Sequence, residues 1–507
     1  MAVQKLEAGH DDPVLALDDI QCDILIGLQK DGECFLFFTI ADLLLFKAAL
    51  HAAVLLGLVT SASIGKSREQ QIASLKAARD KTRIPIPGMN IGFTHRGLGK
   101  MLGDPNYAVG KVNFDSSFQA GAPARAQDLG DVAGLWPQVF QQGALDGVML
   151  ITGGDELEAD MHANAILSLF GSAIDPPVFR QNGATRPGQR GHEHFGFLDG
   201  VSQPGIRGLT ARENPNDPNQ GLPGQDLLWP GEFVFGYDGQ KPANPGDQVS
   251  KDDPDPVKPL PFSWMKNGSF MVWRRLEQDV PAFNAAVRQE AERLEMDVTL
   301  LASRMVGRWP SGAPVVMAPL QDAPMLAASP FKNNDFEYGR DDPNQRRCPY
   351  AAHIRKTYPR DDLNGIFGGE AGEASVQTRR IRRAGIPFGP DFDEEADNAS
   401  ESRGLMFVCY QTSIPEQFEF VQKDWANNQS FVPGKLYPRP TGGSVTPGLD
   451  PIIGQGGSRD MDEPFPNYPA GSRRETLKNL PQFVTATAAG YFFLPSLSAL
   501  KNGLGVP

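Results

Sequence analysis

A diverged internal repeat constrains the fold of this 507-residue chain more than any other feature of its sequence. Residues 35–50 and 270–287 each combine a short apolar run with an amphipathic stretch, the pattern of a buried strand followed by a helix. The segments that begin at Gly147 and Gly404 repeat this pattern later in the chain. Because the two matches occur in the same order, we expect duplicated α+β halves, each with helices packed on one side of a sheet.

A Pro- and Asp-rich stretch at residues 214–261 separates the two halves. Proline excludes regular helices and ladders, so we expect this stretch to be a long surface insertion. The predicted units are therefore residues 1–213, 214–261 and 262–507. Two further Gly-rich segments, 361–377 and 437–468, are predicted to be loops that are long enough to cover or line a site.

Charge and composition exclude several classes of protein. With 48 Lys and Arg against 61 Asp and Glu, the net charge of −13 argues against binding to nucleic acid through a basic field. The most apolar stretch, residues 43–61, contains Lys47 and His51, so we expect a buried helix and no membrane span. The four cysteines form no CxxC pair and are expected to be reduced, buried thiols.

His353 lies in a strongly basic segment, with five Arg and Lys side chains between residues 346 and 360. This composition suits a neutral histidine ligand beside a group of cations that holds anions, as a haem with its propionates requires. A core histidine beside a solvated basic patch is the alternative. His192 and His194 could share one face of a strand as metal ligands, but no further ligands at a helpful spacing accompany them.

Two other charged residues stand in apolar or turn-rich surroundings. Asp199, in GFLDGVSQPG, is either a turn-capping carboxylate or a desolvated acid/base group. Arg383, in RRIRRAGIPFGP, is either an exposed arginine or one that points into a pocket. Their surroundings alone leave both alternatives open.

Taken together, these segments resemble the dye-decolourising peroxidases of fungal type. GFLDGVSQPG fits the GxxDG signature of that family, CPYAAHIRKTYPR resembles the segment of its axial histidine, and IRRAGIPFGP resembles that of its distal arginine. The similarity runs from residue 19 to the C-terminal PQFVTATAAGYFFLP. It implies an α+β fold of two ferredoxin-like halves with antiparallel sheets, like a dimeric α+β barrel, and a haem in the C-terminal half.

The resemblance also implies a cofactor and the residues that hold it. His353 matches the proximal ligand to the iron of one haem b, and Asp450 matches the acceptor of a hydrogen bond from its other ring nitrogen. Leu405 and Phe407 are expected to wall the distal pocket. Arg355 and Arg360 are the expected contacts of the propionates.

The implied activity is a peroxidase reaction that consumes hydrogen peroxide. Asp199 is the expected proton shuttle between the two peroxide oxygens, and Arg383 supplies positive charge as the O–O bond breaks. The expected reductants are phenolic or other small aromatic compounds and bulky dyes. A haem-binding or haem-delivery protein with little turnover, and an enzyme like chlorite dismutase, are the alternatives.

Bulky dyes require a route for electrons from the surface to the cavity. Trp425 matches a surface tryptophan to which the family assigns this role, although a partly buried helix position is the alternative. Tyr358 is a second candidate relay. Many relatives carry tyrosine where this chain has Phe388, which gives Trp425 and Tyr358 more weight.

Acidic residues in two predicted loops suggest a manganese site. Asp217 and Asp226 lie in one segment and Glu370 and Glu373 in another, close in sequence to Tyr358. Carboxylate oxygens suit Mn(II) as a substrate ion, and solvated surface acids are the alternative. The resemblance favours an extracellular protein, but the N-terminal residues lack a conventional signal-peptide pattern, so localisation stays open.

Overall fold

The computed structural model describes residues 12–506 apart from 80–83, 85, 104–106, 108–113, 177, 397, 434–436, 439–443 and 465–473. Within these residues the main element is a nine-stranded antiparallel sheet. Its strands are β1 (Gly32–Phe38), β2 (Gly88–Phe93), β3 (Gly147–Gly153), β4 (Phe179–Ala184), β5 (Ser269–Gln278), β6 (Arg382–Arg383), β7 (Ile386–Phe388), β8 (Gly404–Gln411) and β9 (Val484–Leu494).

The strand order confirms the predicted duplication. Across the sheet, the strands follow the order β4–β1–β3–β2 in the N-terminal half and then β9–β5–β8–β6 in the C-terminal half. Strand β7 also pairs with β8. In each half the last strand in the sequence therefore lies beside the first, followed by the third and the second. This is ferredoxin-like topology in both halves. The halves join where Phe493 of β9 pairs with Phe93 of β2. At the opposite edges of the sheet, β4 lies against β7. Gly183 of β4 is so close to Pro387 of β7 that a Cβ atom added to the glycine would lie 2.7 Å from the Pro387 carbonyl oxygen.

The helices connect these strands as the repeat predicts. The longer helices and those that carry site residues are α1 (Leu43–Leu55), α2 (Ala62–Ala77), α3 (Glu156–Phe170), α4 (Val280–Leu294), α5 (Val298–Val306), α6 (His353–Thr357) and α7 (Ala371–Gln377). Side-chain oxygens at the N-caps of α1 to α5 accept hydrogen bonds from free backbone N–H groups, which fixes where these helices begin.

Shorter elements fill the connections. Helical turns include Cys22–Leu25, His95–Leu102, Ser116–Ala120, Ala122–Arg125, Gln138–Gln141, Pro324–Ala327, Tyr338–Asp341, Asn364–Phe367 and Leu497–Ala499, and wider π-helical turns occupy Ile414–Phe418, Val421–Ala426 and Leu500–Leu504. Small two-stranded ladders pair Gly205–Ile206 with Leu227–Leu228, Gly239–Gln240 with Pro254–Asp255, Tyr437–Pro438 with Ser444–Val445, and Met461–Pro464 with Arg474–Leu477.

Alternation along the strands produces two apolar layers. Phe37 of β1 meets Trp273 of β5 in an edge-on contact of 4.6 Å between ring centroids, inside the barrel. Its neighbour Phe38 points the other way and packs on Phe46 of α1. One face of the sheet therefore closes the barrel, while the other receives the helices.

The structure corrects the predicted surface insertion. Within residues 214–261, the side chains of Leu227, Leu228, Phe233 and Val234 are buried in the core, because this segment forms a short parallel ladder with Gly205–Ile206. The predicted loop at 361–377 is largely helical and includes α7. Part of the predicted loop at 437–468 lies outside the described residues.

Two predictions from composition can be compared with the structure. Cys22, Cys34, Cys348 and Cys409 are free thiols and all are buried, as expected. Among the described residues, no helix combines the length and the apolar character that a bilayer crossing requires.

Candidate active site

A cavity opens between the helix-facing side of β5 and β8 and the segment that carries α6. Alternation in β8 directs Leu405 and Phe407 into this cavity, while Met406 and Val408 are buried in the sheet. Its walls are mostly apolar, and the side chains from sequence analysis that line it are Asp199, His353, Tyr358, Arg360, Arg383, Leu405 and Phe407. The fold thus assembles residues that are up to 208 positions apart in the sequence.

His353 begins α6 and is held by a buried carboxylate. Its Nδ1 lies 2.8 Å from Oδ2 of Asp450, a side chain with no exposed surface. The other carboxylate oxygen of Asp450 accepts the backbone N–H groups of Ile452 and Ile453, so the acceptor cannot rotate away. Burial lowers the pKa of His353, but the Asp450 charge and hydrogen bond outweigh it and leave the pKa raised. With Nδ1 engaged, Nε2 is the ring nitrogen left for a ligand in the cavity.

Asp199 and Arg383 form an ion pair on the wall of the same cavity. Nη1 of Arg383 donates to Oδ1 of Asp199 at 2.7 Å, and the Gly200 N–H donates to the same oxygen at 2.6 Å. Burial alone would raise the pKa of Asp199, yet Arg383 and the Gly200 N–H hold it below its usual range. Both bonds end on Oδ1, so Oδ2 is the oxygen that remains to exchange a proton.

Arg383 is itself fixed by a short polar frame. Its Nη2 donates to the Ser202 carbonyl, and its backbone carbonyl accepts from the Gln203 amide at 2.7 Å. A second recess, lined by Lys30, His192, Gln203 and other residues, shares Asp199 and Arg383 with the main cavity. The ion pair therefore stands between two spaces that are open to small molecules.

Glu193 is a site residue that sequence analysis passed over. Its two carboxylate oxygens accept the backbone N–H groups of Phe195 and Phe197, and Gln278 of β5 donates to it. These bonds anchor the loop that carries Asp199 to the sheet. The sequence signal for this residue is its position between two histidines, in His192-Glu193-His194. His194 instead bonds the Phe388 carbonyl, and no group of three metal-ligating side chains occurs in the described part of the chain.

The two arginines predicted to bind propionates have different surroundings. Arg360 lines the cavity, where it donates to the Asn334 and Phe336 carbonyls. The prediction for Arg355 is wrong. Its guanidinium is fully buried away from the cavity and is paired with Asp342 and Asp362. Arg355 therefore braces the segment that carries His353.

Tyr358 borders the cavity and is bonded to a carboxylate of the insertion. Its hydroxyl donates to Oδ2 of Asp226 at 2.7 Å, and the Arg380 guanidinium lies 3.6 Å from the centre of its ring. Asp226 and Glu373 both accept from the ammonium of Lys251, at 3.0 and 2.7 Å. No periodicity in the sequence predicts this contact, because Asp226 and Lys251 lie in the Pro-rich stretch.

The same contacts involve residues of the predicted manganese site. A lysine ammonium occupies the position between Asp226 and Glu373 where a cation would have to bind. Asp217 caps its own turn through the Asn219 N–H, and Glu370 precedes α7. The described part of the chain does not bring Asp217, Glu370 and Glu373 together as a candidate metal cluster.

Trp425 is buried on a helical turn, which agrees with the alternative given for it and not with a surface position. Only 4% of it is exposed, and its ring stacks on Phe431 at 5.2 Å and meets Phe420 edge-on at 5.6 Å. It shares one apolar cluster with Tyr358 and does not line the cavity. Phe388 is also buried and lies beneath the Arg275 guanidinium.

Comparison with known proteins gives the same family throughout. Residues 19–187 match the family model of the DyP dimeric alpha+beta barrel domain. Peroxidase 2 of Mycetinis scorodonius is 37% identical over 510 residues, which cover 97% of this chain and 88% of the relative. The dye-decolorizing peroxidase of Mycena epipterygia is 36% identical over 527 residues, with 99% and 88% covered.

Solved structures agree in fold. An ancestral D-type dye-decolorizing peroxidase has a TM-score of 0.79 at 37% identity, with 97% of this chain and all (100%) of that chain covered. A dye-decolorizing peroxidase in complex with 2,6-dimethoxyphenol has a TM-score of 0.76 at 36% identity, with 97% and 100% covered. Similarity of this extent over almost the whole length shows common descent: the chain belongs to the dye-decolourising peroxidases, a family of haem oxidoreductases.

Proposed function

We propose that this peroxidase holds haem b on His353 and cleaves hydrogen peroxide with the Asp199–Arg383 pair. The observation that carries the proposal is the arrangement in one cavity of a carboxylate-backed imidazole and a carboxylate–guanidinium pair. A protein that only delivers haem needs the first of these and not the second. The ion pair therefore favours turnover over haem delivery.

The chemistry of the lining residues fits a haem. His353 offers one free ring nitrogen, and the apolar side chains of Leu276, Leu405, Phe407 and Ile452 suit a porphyrin face. Arg360 is the cation that would hold a propionate. When bound, the haem supplies an iron that can bind peroxide and store its oxidising equivalents. Asp450 keeps the imidazole oriented and makes it a more basic ligand.

Asp199 moves the proton in this proposal. Asp199 is an ionised carboxylate. Its Oδ2 accepts a proton from one peroxide oxygen and then donates this proton to the other peroxide oxygen, so that water can leave. The lowered pKa of Asp199 keeps it ionised in mild acid, where a histidine would be protonated. Arg383 stays charged throughout and stabilises the developing negative charge on oxygen. The recess that both residues share with the cavity is the entry path for peroxide.

Reductants act at two places in this proposal. Small aromatic compounds, such as the 2,6-dimethoxyphenol bound to a related peroxidase, are oxidised near the cavity. Bulky dyes give their electrons through aromatic side chains. Tyr358 is the relay next to the cavity, and Trp425 lies behind it in the same apolar cluster. A buried Trp425 receives electrons through this cluster and not by direct contact with a dye.

A spectroscopic experiment tests the proposal. Haem-loaded protein is mixed with one equivalent of hydrogen peroxide, and the Soret band is followed in the native chain, Asp199→Asn and Arg383→Leu. We expect a rapid band shift in the native chain and a loss of about 10²- to 10⁴-fold in its rate in each variant. Asp322→Asn, which changes a carboxylate bonded to Ser311 away from the cavity, is the control and should react normally. A native Soret band that ignores peroxide would instead indicate a haem carrier.

A further inference from the structure

The hydroxyl of Tyr358 has a carboxylate partner that the peroxidase reaction described above does not use. Oδ2 of Asp226 accepts a hydrogen bond from the Tyr358 hydroxyl at 2.7 Å and a second one from the Gln377 side-chain amide at 2.9 Å. Asp226 is only 5% exposed, and its other oxygen accepts from Lys251. The acceptor is thus rigidly held, desolvated and aimed at the one polar atom of the Tyr358 side chain.

The charges around Tyr358 make loss of an electron alone unfavourable. Arg380 stacks over the ring at 3.6 Å, and Arg360 lies 5.0 Å from its centre. Burial raises the pKa of Tyr358 despite these cations, so the phenol keeps its proton until it is oxidised. A tyrosine that lost only an electron would become a cation beside two guanidinium groups, which Coulomb repulsion opposes. The proton therefore has to leave together with the electron.

Asp226 is available to receive that proton. Burial would raise its pKa, but Lys251, the Tyr358 hydrogen bond and Arg380 hold the pKa well below its usual range, so the group is ionised. Three other carboxyls lie near it: Glu373, which shares Lys251, Glu337, which lies 3.7 Å from Arg360, and Asp252, whose charge interacts with that of Asp226. All three have raised pKa values because they are buried. Among these carboxyls, Asp226 is the one hydrogen-bonded to the phenol.

We propose that Asp226 is the proton acceptor of Tyr358, and that the two residues act as one proton-coupled redox pair when bulky reductants are oxidised. This inference rests on the proposed function, which supplies the oxidising equivalent. The phenolic O–H bond of Tyr358 breaks, its electron goes to the oxidised site in the cavity, and an O–H bond forms on Oδ2 of Asp226. An electron from the reductant then restores the phenol, and Asp226 returns the proton to it. Over the cycle, the reductant loses one electron and Asp226 is unchanged.

Lys251 has a defined part in this arrangement. Its ammonium donates to both Asp226 and Glu373, and its bond to Oδ1 of Asp226 holds Oδ2 at the hydroxyl of Tyr358. When Asp226 takes up the proton, Glu373 still pairs with Lys251, so the ammonium is never left unpaired. The cluster can accordingly hold one proton for a short time without losing its structure. Asp226 acts through Tyr358 and is a positioning and proton-accepting residue, not one that touches the reductant.

The test compares the native full chain with Asp226→Asn and uses Tyr358→Phe to identify the signal. Asparagine can still accept the hydrogen bond but cannot take the proton. In the haem-loaded enzyme treated with peroxide, we expect the electron paramagnetic resonance signal of the Tyr358 radical, defined as the signal lost in Tyr358→Phe, to form about 10²-fold more slowly in Asp226→Asn. Turnover of a bulky dye should fall with it, while the initial reaction with peroxide keeps its native rate.

A second measurement removes any dependence on the haem. A flash-generated ruthenium oxidant is used to oxidise tyrosine in the cofactor-free chain, and the part that disappears in Tyr358→Phe is assigned to Tyr358. We expect this part to be slower in D2O and slower in Asp226→Asn, and to recover in Asp226→Glu. Asp247→Asn, which alters a carboxylate of the same insertion that accepts the Asn244 N–H, is the matched control and should behave as native.

The outcomes separate the two proposals. Native Tyr358 oxidation in a folded Asp226→Asn chain, or equal rates in H2O and D2O, would overturn the proton-acceptor role. Loss in Asp226→Asn with recovery in Asp226→Glu supports it, and a thermal melt of each variant shows that the fold is kept. A native enzyme whose Soret band does not respond to peroxide contradicts the proposed function alone, because the flash experiment still decides the role of Asp226.

Discussion

The two halves of the barrel share one strand order but use the space between sheet and helices in opposite ways. In the N-terminal half this space is closed. Phe38, Phe46, Phe93 and Phe170 fill it with ring centroids 5.1 to 6.2 Å apart. In the C-terminal half, the equivalent face of the sheet lines a cavity. The same topology therefore supports either a packed core or a site.

The difference comes from one connection. Between α2 and β2 the N-terminal half uses only residues 78–87, whereas between α5 and β6 the C-terminal half uses residues 307–381. The longer connection carries His353, Tyr358 and Arg360, and it holds them over the sheet. Function here follows from a long connection on a rigid duplicated scaffold, as is common for sites on loops.

The largest expected effect is the loss of the cofactor from the C-terminal half, which we call the open half because it lines the cavity. His353→Ala should abolish the native Soret band after haem loading and lower peroxide-dependent dye oxidation by at least about 10³-fold, since a distal pair without a ligated iron has nothing to act on. Absorption spectra and steady-state rates check this. His162→Ala, on α3 of the closed half, is the control and should keep both properties. A native Soret band in His353→Ala would contradict the assignment of the ligand.

Packing should differ between the halves by a few kcal/mol. Phe46→Ala removes a fully buried ring from the closed half and should lower the free energy of unfolding by about 3–5 kcal/mol. Phe407→Ala removes a ring that already borders a cavity, so we expect less than half that loss. Urea denaturation of the cofactor-free chain measures both. Equal losses would mean that the open half is packed as tightly as the closed one.

Each half contains a buried aspartate, and we expect Asp450 to support the haem ligand and Asp146 to support only the fold. Asp450→Asn should weaken haem binding by about 10- to 100-fold and raise the reduction potential of the bound haem, because the imidazole becomes a less basic ligand. Asp146→Asn, in the closed half, removes a carboxylate that accepts from Ile40 and Lys100, so it should lower the melting temperature and leave the potential unchanged. Titration and spectroelectrochemistry distinguish the two. Unchanged haem affinity and potential in Asp450→Asn would argue against its role behind His353.

The smallest effect concerns the pH dependence of stability in the long connection. Burial raises the pKa of Glu337 to about 8, above the ordinary value of 4.5, although Arg360 partly offsets this. The folded chain then keeps a proton that the unfolded chain releases. Stability from this group is full below pH 4.5 and is lost as the pH rises towards 8. Glu337→Gln should be more stable than the native chain at pH 8 by about 1–2 kcal/mol. An identical pH profile for both chains in urea would show that Glu337 is not buried as described.

Sequence patterns predicted the parts of this molecule that depend on periodicity or on a specific motif. The repeat gave the duplicated halves, and the segments around Asp199, His353 and Arg383 identified three residues that the fold brings to one cavity. Sequence patterns left the exposure of Trp425 undecided, because its burial depends on Phe431 and Phe420 packing around the indole.

For charged residues, how well a contact can be predicted depends on how far apart the partners lie in the sequence. The partners of Arg355 lie nearby in the sequence, at Asp342 and Asp362, and they could have indicated a buried network. The contact of Asp226 with Tyr358 joins residues that are 132 positions apart. Asp226 lies in a β-bridge next to a two-residue strand, and so short an element has no periodicity that constrains which side chain points inwards.

The seam between β2 and β9 has a consequence for how the chain folds during synthesis. The closed half can collapse as soon as it leaves the ribosome, but the free edge of β2 must wait for β9, and the amide of Gln21 must wait for the Pro495 carbonyl 474 residues later. An unpaired strand edge invites wrong partners. A half-built barrel therefore exposes this edge until β9 is made, and slowing the synthesis of the second half would lengthen that exposure.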